Sequence, residues 1–234
     1  MCKKVMFLVV VLGLAAGAQA LPVNWTIQHH WELEETSGTT AYDSVGGLHA
    51  SNSGATINQP GPGDPDFKAY EFGAEEGDVL STGLIIPSVP VDGDWGVFVT
   101  FKTSHDHPTG DQGHLFGWND GAADNRGALY IYRHNLGFWM RNGPALATGA
   151  VDDGKWHTAG VVREGDTWTL YLDGDPKDSA NSSAAIPAIG AVIGNGVGYD
   201  YDFQGLISDV VYMPEPATVA LLGLGSLVLL RRRK

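Results

Sequence analysis

The amino-acid sequence predicts an all-β fold, an antiparallel sandwich, between two hydrophobic ends. Apolar and polar residues alternate in the segments 95–102 and 168–172, which is typical of strands that bury one face. Turn residues stand between such segments, as at 163–166, 173–174 and 134–135. No stretch between the two ends keeps a helical period over three turns. This combination favours strands that pair with their neighbours in the chain.

The predicted domain covers residues 21–213, and most of its strands can be placed from the same pattern. The proline-rich segment 59–66 is predicted to be a surface loop because proline cannot donate to a strand ladder. Further strands are predicted at 26–33, 69–72, 113–118, 128–133, 137–141, 156–163, 191–193 and 203–212.

The first twenty residues have the features of a signal peptide. Two lysines precede an apolar run over 5–14, and Ala18 and Ala20 have the spacing of a cleavage signal. Cys2, the single cysteine of the chain, lies in this segment. Removal of residues 1–20 would leave a domain without a disulfide or a thiolate.

The C-terminus combines a Pro-Glu-Pro tripeptide, an apolar stretch and a basic cluster. Prolines end strands and helices, so the tripeptide separates the domain from the tail. The apolar stretch, predicted to be a short transmembrane helix, is shorter than the ~20 residues that span a bilayer. The basic cluster resists translocation. The three parts are Pro214, Glu215 and Pro216, then residues 217–230, then Arg231, Arg232, Arg233 and Lys234.

These residues resemble the PEP-CTERM sorting signal of bacteria that make extracellular polysaccharide, and the resemblance covers 214–234. It implies that an exosortase-type enzyme recognises the tripeptide and processes the tail after export. The protein is therefore expected at the cell surface, in the outer envelope or in the extracellular matrix, transiently anchored in the membrane by its tail.

Net charge argues against one class of partner. The chain carries 27 acidic and 14 basic residues, for a formal net charge of −13. Nucleic acid is excluded as a partner because its phosphates would be repelled.

A second resemblance covers most of the domain. The segments 30–46, 70–73, 153–162, 168–174 and 203–210 are similar, in order and spacing, to the laminin-G-like, concanavalin A-like family. The resemblance implies a two-sheet antiparallel jelly roll whose members mostly bind carbohydrate or protein, often with a structural calcium ion.

The calcium site that this resemblance implies would use Asp43 and Asp209, because the family brings the two ends of the domain together. In the alternative, Asp43 makes an Asx-turn and Asp209 is a solvated strand residue.

Zinc binding and catalysis are not expected. Among His105, His107 and His114, the first two are separated by one residue but precede Pro108 and Gly110, which favour a loop over a strand, and no glutamate stands at helical spacing to act as a base. Glu32 and Glu34 share a face of the first strand, but the paired-carboxylate pattern of glucanases is missing. The sequence predicts a protein that is not an enzyme.

The candidate ligand-binding residues are aromatic, because aromatic rings stack on the faces of sugars. In the strands around 130 and 138, either Tyr130 and Tyr132 or Phe138 and Met140 must be buried, and the sequence leaves the choice open. Four aromatic residues near loops or strand ends are the candidates: Trp118, Trp139, Tyr199 and Tyr201.

Together these features predict an exported, non-catalytic surface protein that binds an extracellular polysaccharide or another surface protein. The alternatives are a structural or adhesive surface component without a small ligand and, less favoured, a glycoside hydrolase.

Overall fold

Two antiparallel β-sheets, packed face to face, make up the part of the chain that the computed structural model describes. The predicted signal peptide, the predicted helix at 217–230 and Tyr199 lie outside the described residues. The described residues are 27–63, 66–73, 79–86, 93–107, 112–119, 126–184, 189–195 and 201–214.

The described ranges form sixteen strands, and every pairing between them is antiparallel. The strands are β1 (His29–Trp31), β2 (Thr40–Ala41), β3 (Ala50–Ser53), β4 (Thr56–Pro60), β5 (Lys68–Phe72), β6 (Val79–Ile86), β7 (Trp95–Lys102), β8 (Gly113–Asn119), β9 (Arg126–Tyr132), β10 (Asn135–Met140), β11 (Ala145–Ala150), β12 (Trp156–Glu164), β13 (Thr167–Leu172), β14 (Asp175–Asn181), β15 (Ile189–Ile193) and β16 (Gly205–Pro214).

The first sheet has the strand order β14-β13-β12-β7-β16-β5-β4, and the second has the order β11-β10-β9-β8-β15-β6-β3-β2. Strand β16 is central to the first sheet. One of its edges pairs with β7, and the other pairs first with β5 and then with β1. The beginning and the end of the domain therefore lie side by side, and the predicted jelly-roll sandwich is confirmed.

The core lies between the sheets and is rich in aromatic residues. Trp95 is fully buried, and its ring meets those of Trp118 and Trp168 edge-on, at centroid distances of 5.8 and 5.6 Å. Such edge-to-face pairs contribute about 1 kcal/mol beyond the burial of their area. Because Trp118 comes from the second sheet and the other two from the first, this cluster joins the sheets.

Tight hairpins connect the strands where the sequence predicts them. Asp173 and Gly174 both have positive φ, as a two-residue turn between β13 and β14 requires. In the hairpin of β9 and β10 the turn residues are Arg133 and His134, one position before the predicted pair.

Several strands were not predicted from the pattern of apolar and polar residues. Strands β11 and β14 consist mainly of small or polar residues at the sheet edges, so they show no alternation. Strand β4 corrects the predicted loop at 59–66, since it extends to Pro60. A proline is tolerated there because β4 is an edge strand.

Helices long and apolar enough to cross a membrane are not found among the residues that the structure describes.

Candidate functional site

The outer face of the second sheet carries a row of aromatic side chains on β9 and β10. Leu129 and Ile131 point into the core, so Tyr130 and Tyr132 point outward and are half-buried. On β10, Phe138 and Met140 are buried, whereas Trp139 is half-buried on the outer face. The structure thereby settles the choice that the sequence leaves open: the tyrosines lie on the outer face, and Phe138 and Met140 are buried.

Small residues surround these rings. In the register of the sheet, Gly117 pairs with Ala128, Ala128 with Trp139, and Trp139 with Ala145. Glycine and alanine have little or no side chain, so the sheet surface at these positions lies below the level of the neighbouring indole ring. The outer face therefore has a shallow floor with aromatic walls.

Gly137 allows the ring of Tyr130 to lie against the sheet. A Cβ at Gly137 would stand 2.7 Å from Cζ of Tyr130, closer than van der Waals contact permits. Any larger residue on β10 would push this ring away from the floor.

Two arginines lie over rings of the same face. The guanidinium of Arg126 is 5.8 Å from the centre of the Trp139 ring, and that of Arg133 is 5.2 Å from the Tyr132 ring. Cation–π contacts of this kind contribute about 0.5–1 kcal/mol at exposed positions. They help to hold the rings in one orientation.

At the other side of the face, His114 pairs with Tyr130 across β8 and β9 and meets the ring of Tyr201 at 4.9 Å. The backbone N–H of His114 donates to the backbone carbonyl of Tyr201 at 3.1 Å. Tyr201 is half-buried, so it extends the aromatic surface beyond β8.

A separate polar cluster surrounds Asp43, whose side chain is fully buried beside β1. Each carboxylate oxygen accepts hydrogen bonds from N–H groups of β1 and of the loop that follows Asp43. Oδ1 accepts from the backbone N–H groups of His30 (3.0 Å), Val45 (3.0 Å) and Gly46 (2.9 Å), and Oδ2 from the His29 ring (2.6 Å) and the backbone N–H of Leu48 (2.8 Å).

These hydrogen bonds decide the charge state of Asp43. Burial by itself would raise the pKa of the carboxyl group, but the donors, led by the N–H of His30 and the ring of His29, hold the pKa well below its ordinary value. Asp43 is therefore a carboxylate at all pH values where proteins normally work.

Asp209, on β16, pairs with the neighbouring histidine of β1. Nε2 of His30 lies 2.5 Å from Oδ1 of Asp209. Burial would lower the pKa of His30, but this hydrogen bond and the charges of Asp209 and Glu32 raise it above its ordinary value. The pair ties the first strand of the domain to the last.

The comparisons with known proteins agree with this architecture. Residues 88–219 match the family model of the Concanavalin A-like lectin/glucanases superfamily. The chain belongs to this superfamily. Residues 214–234 match the PEP-CTERM protein-sorting motif, which implies processing by exosortase-type machinery and indicates an exported protein that is sorted to the cell surface. None of the curated protein sequences matches the chain.

Solved structures with this fold include carbohydrate-active proteins. Domain 4 of AbnA, an extracellular GH43 arabinanase from Geobacillus stearothermophilus, in complex with arabinotriose, has a TM-score of 0.61 and 14% identity, covering 81% of this chain and 93% of that chain. Trypanosoma rangeli sialidase in complex with 2,3-difluorosialic acid has a TM-score of 0.60 and 15% identity, covering 90% of this chain but only 36% of the sialidase. At these identities the likeness concerns the fold alone.

The concanavalin A-like domain places the four predicted aromatic residues differently. Trp139 and Tyr201 lie on the outer face of the second sheet, whereas Tyr199 falls outside the described residues. The prediction for Trp118 is corrected: its side chain is 2% exposed and packs in the core, so it offers no surface to a ligand. Tyr130 and Tyr132 join the site, as their alternation with the apolar Leu129 and Ile131 could have indicated.

The loop predicted around His105 and His107 packs one of its two histidines into the core. His107 is fully buried, stacks on Phe203 and meets the ring of His105 edge-on at 4.6 Å. Within the described ranges, no three side chains of His, Cys, Asp or Glu are grouped to hold a metal ion.

Calcium binding at Asp43 and Asp209 stays a prediction, but the structure gives both carboxylates other partners. Asp43 forms the Asx-turn of the alternative interpretation, since its Oδ1 accepts from the N–H two residues later. Asp209 is not simply solvated, because it is bonded to His30. A calcium ion would have to displace these donors.

We therefore expect the melting temperature of the full chain to be the same in calcium and in EGTA. A calcium site in the folded protein would raise the midpoint by on the order of 5 °C at a hundredfold excess over Kd. Magnesium serves as the control for a general effect of divalent ions. A rise with calcium alone would contradict this expectation and restore the predicted site.

Proposed function

We propose that this exported surface protein binds carbohydrate, without catalysis, on the outer face of the second sheet. The observation that carries the proposal is the set of half-buried rings of Tyr130, Tyr132 and Trp139 above a floor of glycine and alanine. The C–H faces of a sugar ring stack on aromatic rings, and a low floor gives the sugar room to lie flat.

The rings are held in place before a ligand arrives. The contacts of Arg126 with Trp139 and of Arg133 with Tyr132 restrict their rotation. A surface that is already ordered loses less entropy on binding, which favours affinity for a flexible polysaccharide.

The chemistry of this face supports binding rather than hydrolysis. Glycoside hydrolysis needs two carboxyl groups on either side of the scissile bond. The described positions of this face on β8 to β11 hold aromatic, small, histidine, asparagine and arginine residues and no carboxylate. The two carboxylates that face His30 lie elsewhere: Asp209 is on β16 of the first sheet, and Glu32 directly follows β1.

The sorting motif indicates where in the cell this binding would take place. In our proposal the signal peptide at 1–20 directs export, and the apolar tail holds the protein in the membrane until exosortase-type machinery processes it. The sheet face would then attach the protein to extracellular polysaccharide. The aromatic residues of this face lie on β9 and β10, so removal of the tail would not take them away.

Affinity electrophoresis of the full chain tests the proposal. The chain, kept in a detergent without a sugar headgroup, would migrate through native gels that contain arabinan, dextran, xylan, alginate or polygalacturonate. We expect at least one polysaccharide to retard it and Trp139→Ala to weaken that binding about tenfold, as for an aromatic residue at the centre of an interface.

Tyr171→Ala is the matched control, because Tyr171 is a half-buried aromatic residue on the outer face of the first sheet. It should be retarded like the unmodified chain. Equal losses for the two variants would place binding elsewhere. Retardation by none of the five polysaccharides would leave a structural or adhesive role as the better explanation.

A further inference from the structure

His114 lies at the edge of the aromatic face and is almost completely buried, with 5% of its surface exposed. The half-buried rings of Tyr201 and Tyr130 lie 4.9 and 6.2 Å from its imidazole ring. A polar side chain in such a position needs hydrogen-bond partners for both ring nitrogens.

The two nitrogens have different surroundings. Nε2 lies 3.3 Å from Oε1 of Gln112, an acceptor, so the network assigns the proton to Nε2. Nδ1 is buried and has no hydrogen-bond partner among the residues that the structure describes. It is therefore a bare acceptor.

The imidazole also stays neutral. Burial, and to a smaller extent the neighbouring His107, lowers the pKa of His114 to about 3. Protonation cannot turn Nδ1 into a donor at the pH values where the protein works.

Nδ1 faces the buried backbone of Gly117, where the missing side chain leaves a small and closely bordered niche. A Cβ built on Gly117 would stand 3.4 Å from Nδ1 of His114, 3.2 Å from the backbone oxygen of Asn195 and 3.8 Å from Cγ2 of Val192. Two acceptors and one apolar group thus border a position where this chain has no side chain.

Asn195 adds a third acceptor to this corner of the fold. It is 9% exposed, and its Nδ2 donates to Oδ1 of Asp202. Its Oδ1 is buried and, like Nδ1 of His114, has no hydrogen-bond partner within the described part of the chain. Unpaired buried acceptors cost about 1–3 kcal/mol each, so a group that donates to them is favoured.

We propose that the niche beside Gly117 receives a hydroxyl group of the bound sugar, which donates its hydrogen to Nδ1 of His114. This inference rests on the proposed function, and it adds a chemical class to it. Acceptors attract a hydroxyl or amide N–H and repel a carboxylate, so the sugar at this point is neutral. The hydroxyl reaches Nδ1 after a rotamer change of Tyr201, a common adjustment at binding surfaces.

Two substitutions of His114 test the inference. His114→Leu removes the acceptor, whereas His114→Asn keeps a polar group near the position of Nδ1. With the polysaccharide that retards the full chain most among arabinan, dextran, xylan, alginate and polygalacturonate, we expect His114→Leu to bind about tenfold more weakly. His114→Asn should stay within about threefold, and the binding of the unmodified chain should be constant between pH 5 and 8.

A measurement on the unmodified chain does not depend on how the variants fold. In the ¹⁵N-labelled protein, arabinotriose, or the trisaccharide of the retarding polysaccharide, should shift the Nδ1 resonance of His114 and leave that of Nε2 nearly unchanged. An unchanged Nδ1 resonance at saturating sugar would overturn the inference, and so would equal affinities of His114→Leu and the unmodified chain.

The outcomes separate this inference from the function on which it rests. If Trp139→Ala loses affinity and His114→Leu does not, the aromatic face binds sugar but the niche does not. If the best polysaccharide is bound through its carboxylates, so that a neutralised form no longer competes, the assignment of a neutral sugar is wrong. If no polysaccharide binds, both proposals fail.

Discussion

Asp43→Asn is expected to lower the free energy of unfolding by about 3 kcal/mol, which corresponds to a fall in melting temperature of about 10 °C. The Asp43 side chain is fully buried, and both of its oxygens accept N–H groups. An asparagine keeps one acceptor but turns an NH₂ group toward some of these donors. Because the donors belong to β1 and to the following loop, their loss loosens the attachment of β1. Thermal unfolding of the full chain measures the change.

The same carboxylate predicts how stability depends on pH. Because the pKa of Asp43 is depressed in the folded protein, its contribution is complete above the unfolded value of 3.8 and is lost as the pH falls toward the folded value. The unmodified chain should therefore lose stability below about pH 4, and Asp43→Asn should show a shallower acid slope.

Asp175→Asn provides the control for this pair of measurements. Asp175 is an exposed aspartate that pairs with Lys177 on the surface, where ion pairs contribute little. Its substitution should change the melting temperature by no more than 1–2 °C. Equal effects of the two substitutions would show that the hydrogen bonds around Asp43 do not stabilise the fold.

Strands with one buried face could be predicted from the sequence, and strands at the edges could not. The bounds of Trp95–Lys102 were predicted correctly because a large apolar residue stands at every second position there. In the structure this strand pairs with β12 and β16. Asp175–Asn181 has mainly polar residues and packs on few neighbours, so its conformation depends on pairing with β13, which a local pattern does not reveal. Polar edge strands of this kind also discourage aggregation.

The candidate site was harder to predict, because the face on which a residue lies depends on register. Strand β8 has an irregularity between His114 and Phe116, where an additional residue interrupts the alternation. Beyond it, Gly117 is on the outer face and Trp118 is in the core. Simple counting from His114 would put Trp118 outside. The pattern of hydrophobic residues does not reveal such a bulge. The hydrogen-bond donors to Asp43 are equally hidden from the sequence, because they come together only when the loop that follows Asp43 has folded.

Trp168→Ala is expected to lower the free energy of unfolding by about 4 kcal/mol, the range for a buried aromatic residue replaced by alanine. Trp168 is fully buried, and its ring is edge-on to Trp95 and stacked on Phe138 of the second sheet at 5.4 Å. The buried Arg163 lies 5.4 Å from the same ring, and Nε1 of Trp168 donates to the carbonyl of Ser182 at 3.0 Å. The substitution removes contacts between the sheets and within the first sheet at once.

Trp168→Phe separates the two kinds of contact. Phenylalanine retains the stacking on Phe138 but loses the hydrogen bond to Ser182. The loss in free energy of unfolding for Trp168→Phe should therefore be about half of the loss for Trp168→Ala. Tyr171→Ala, on the outer face of the same strand, should cost much less because its ring is only half-buried. If Tyr171→Ala were as destabilising as Trp168→Ala, the strand itself rather than the aromatic core would limit stability. The ordering Trp168→Ala, Trp168→Phe, Tyr171→Ala in denaturant midpoints would instead show that the tryptophan cluster holds the two sheets together and thereby keeps the outer aromatic face in register.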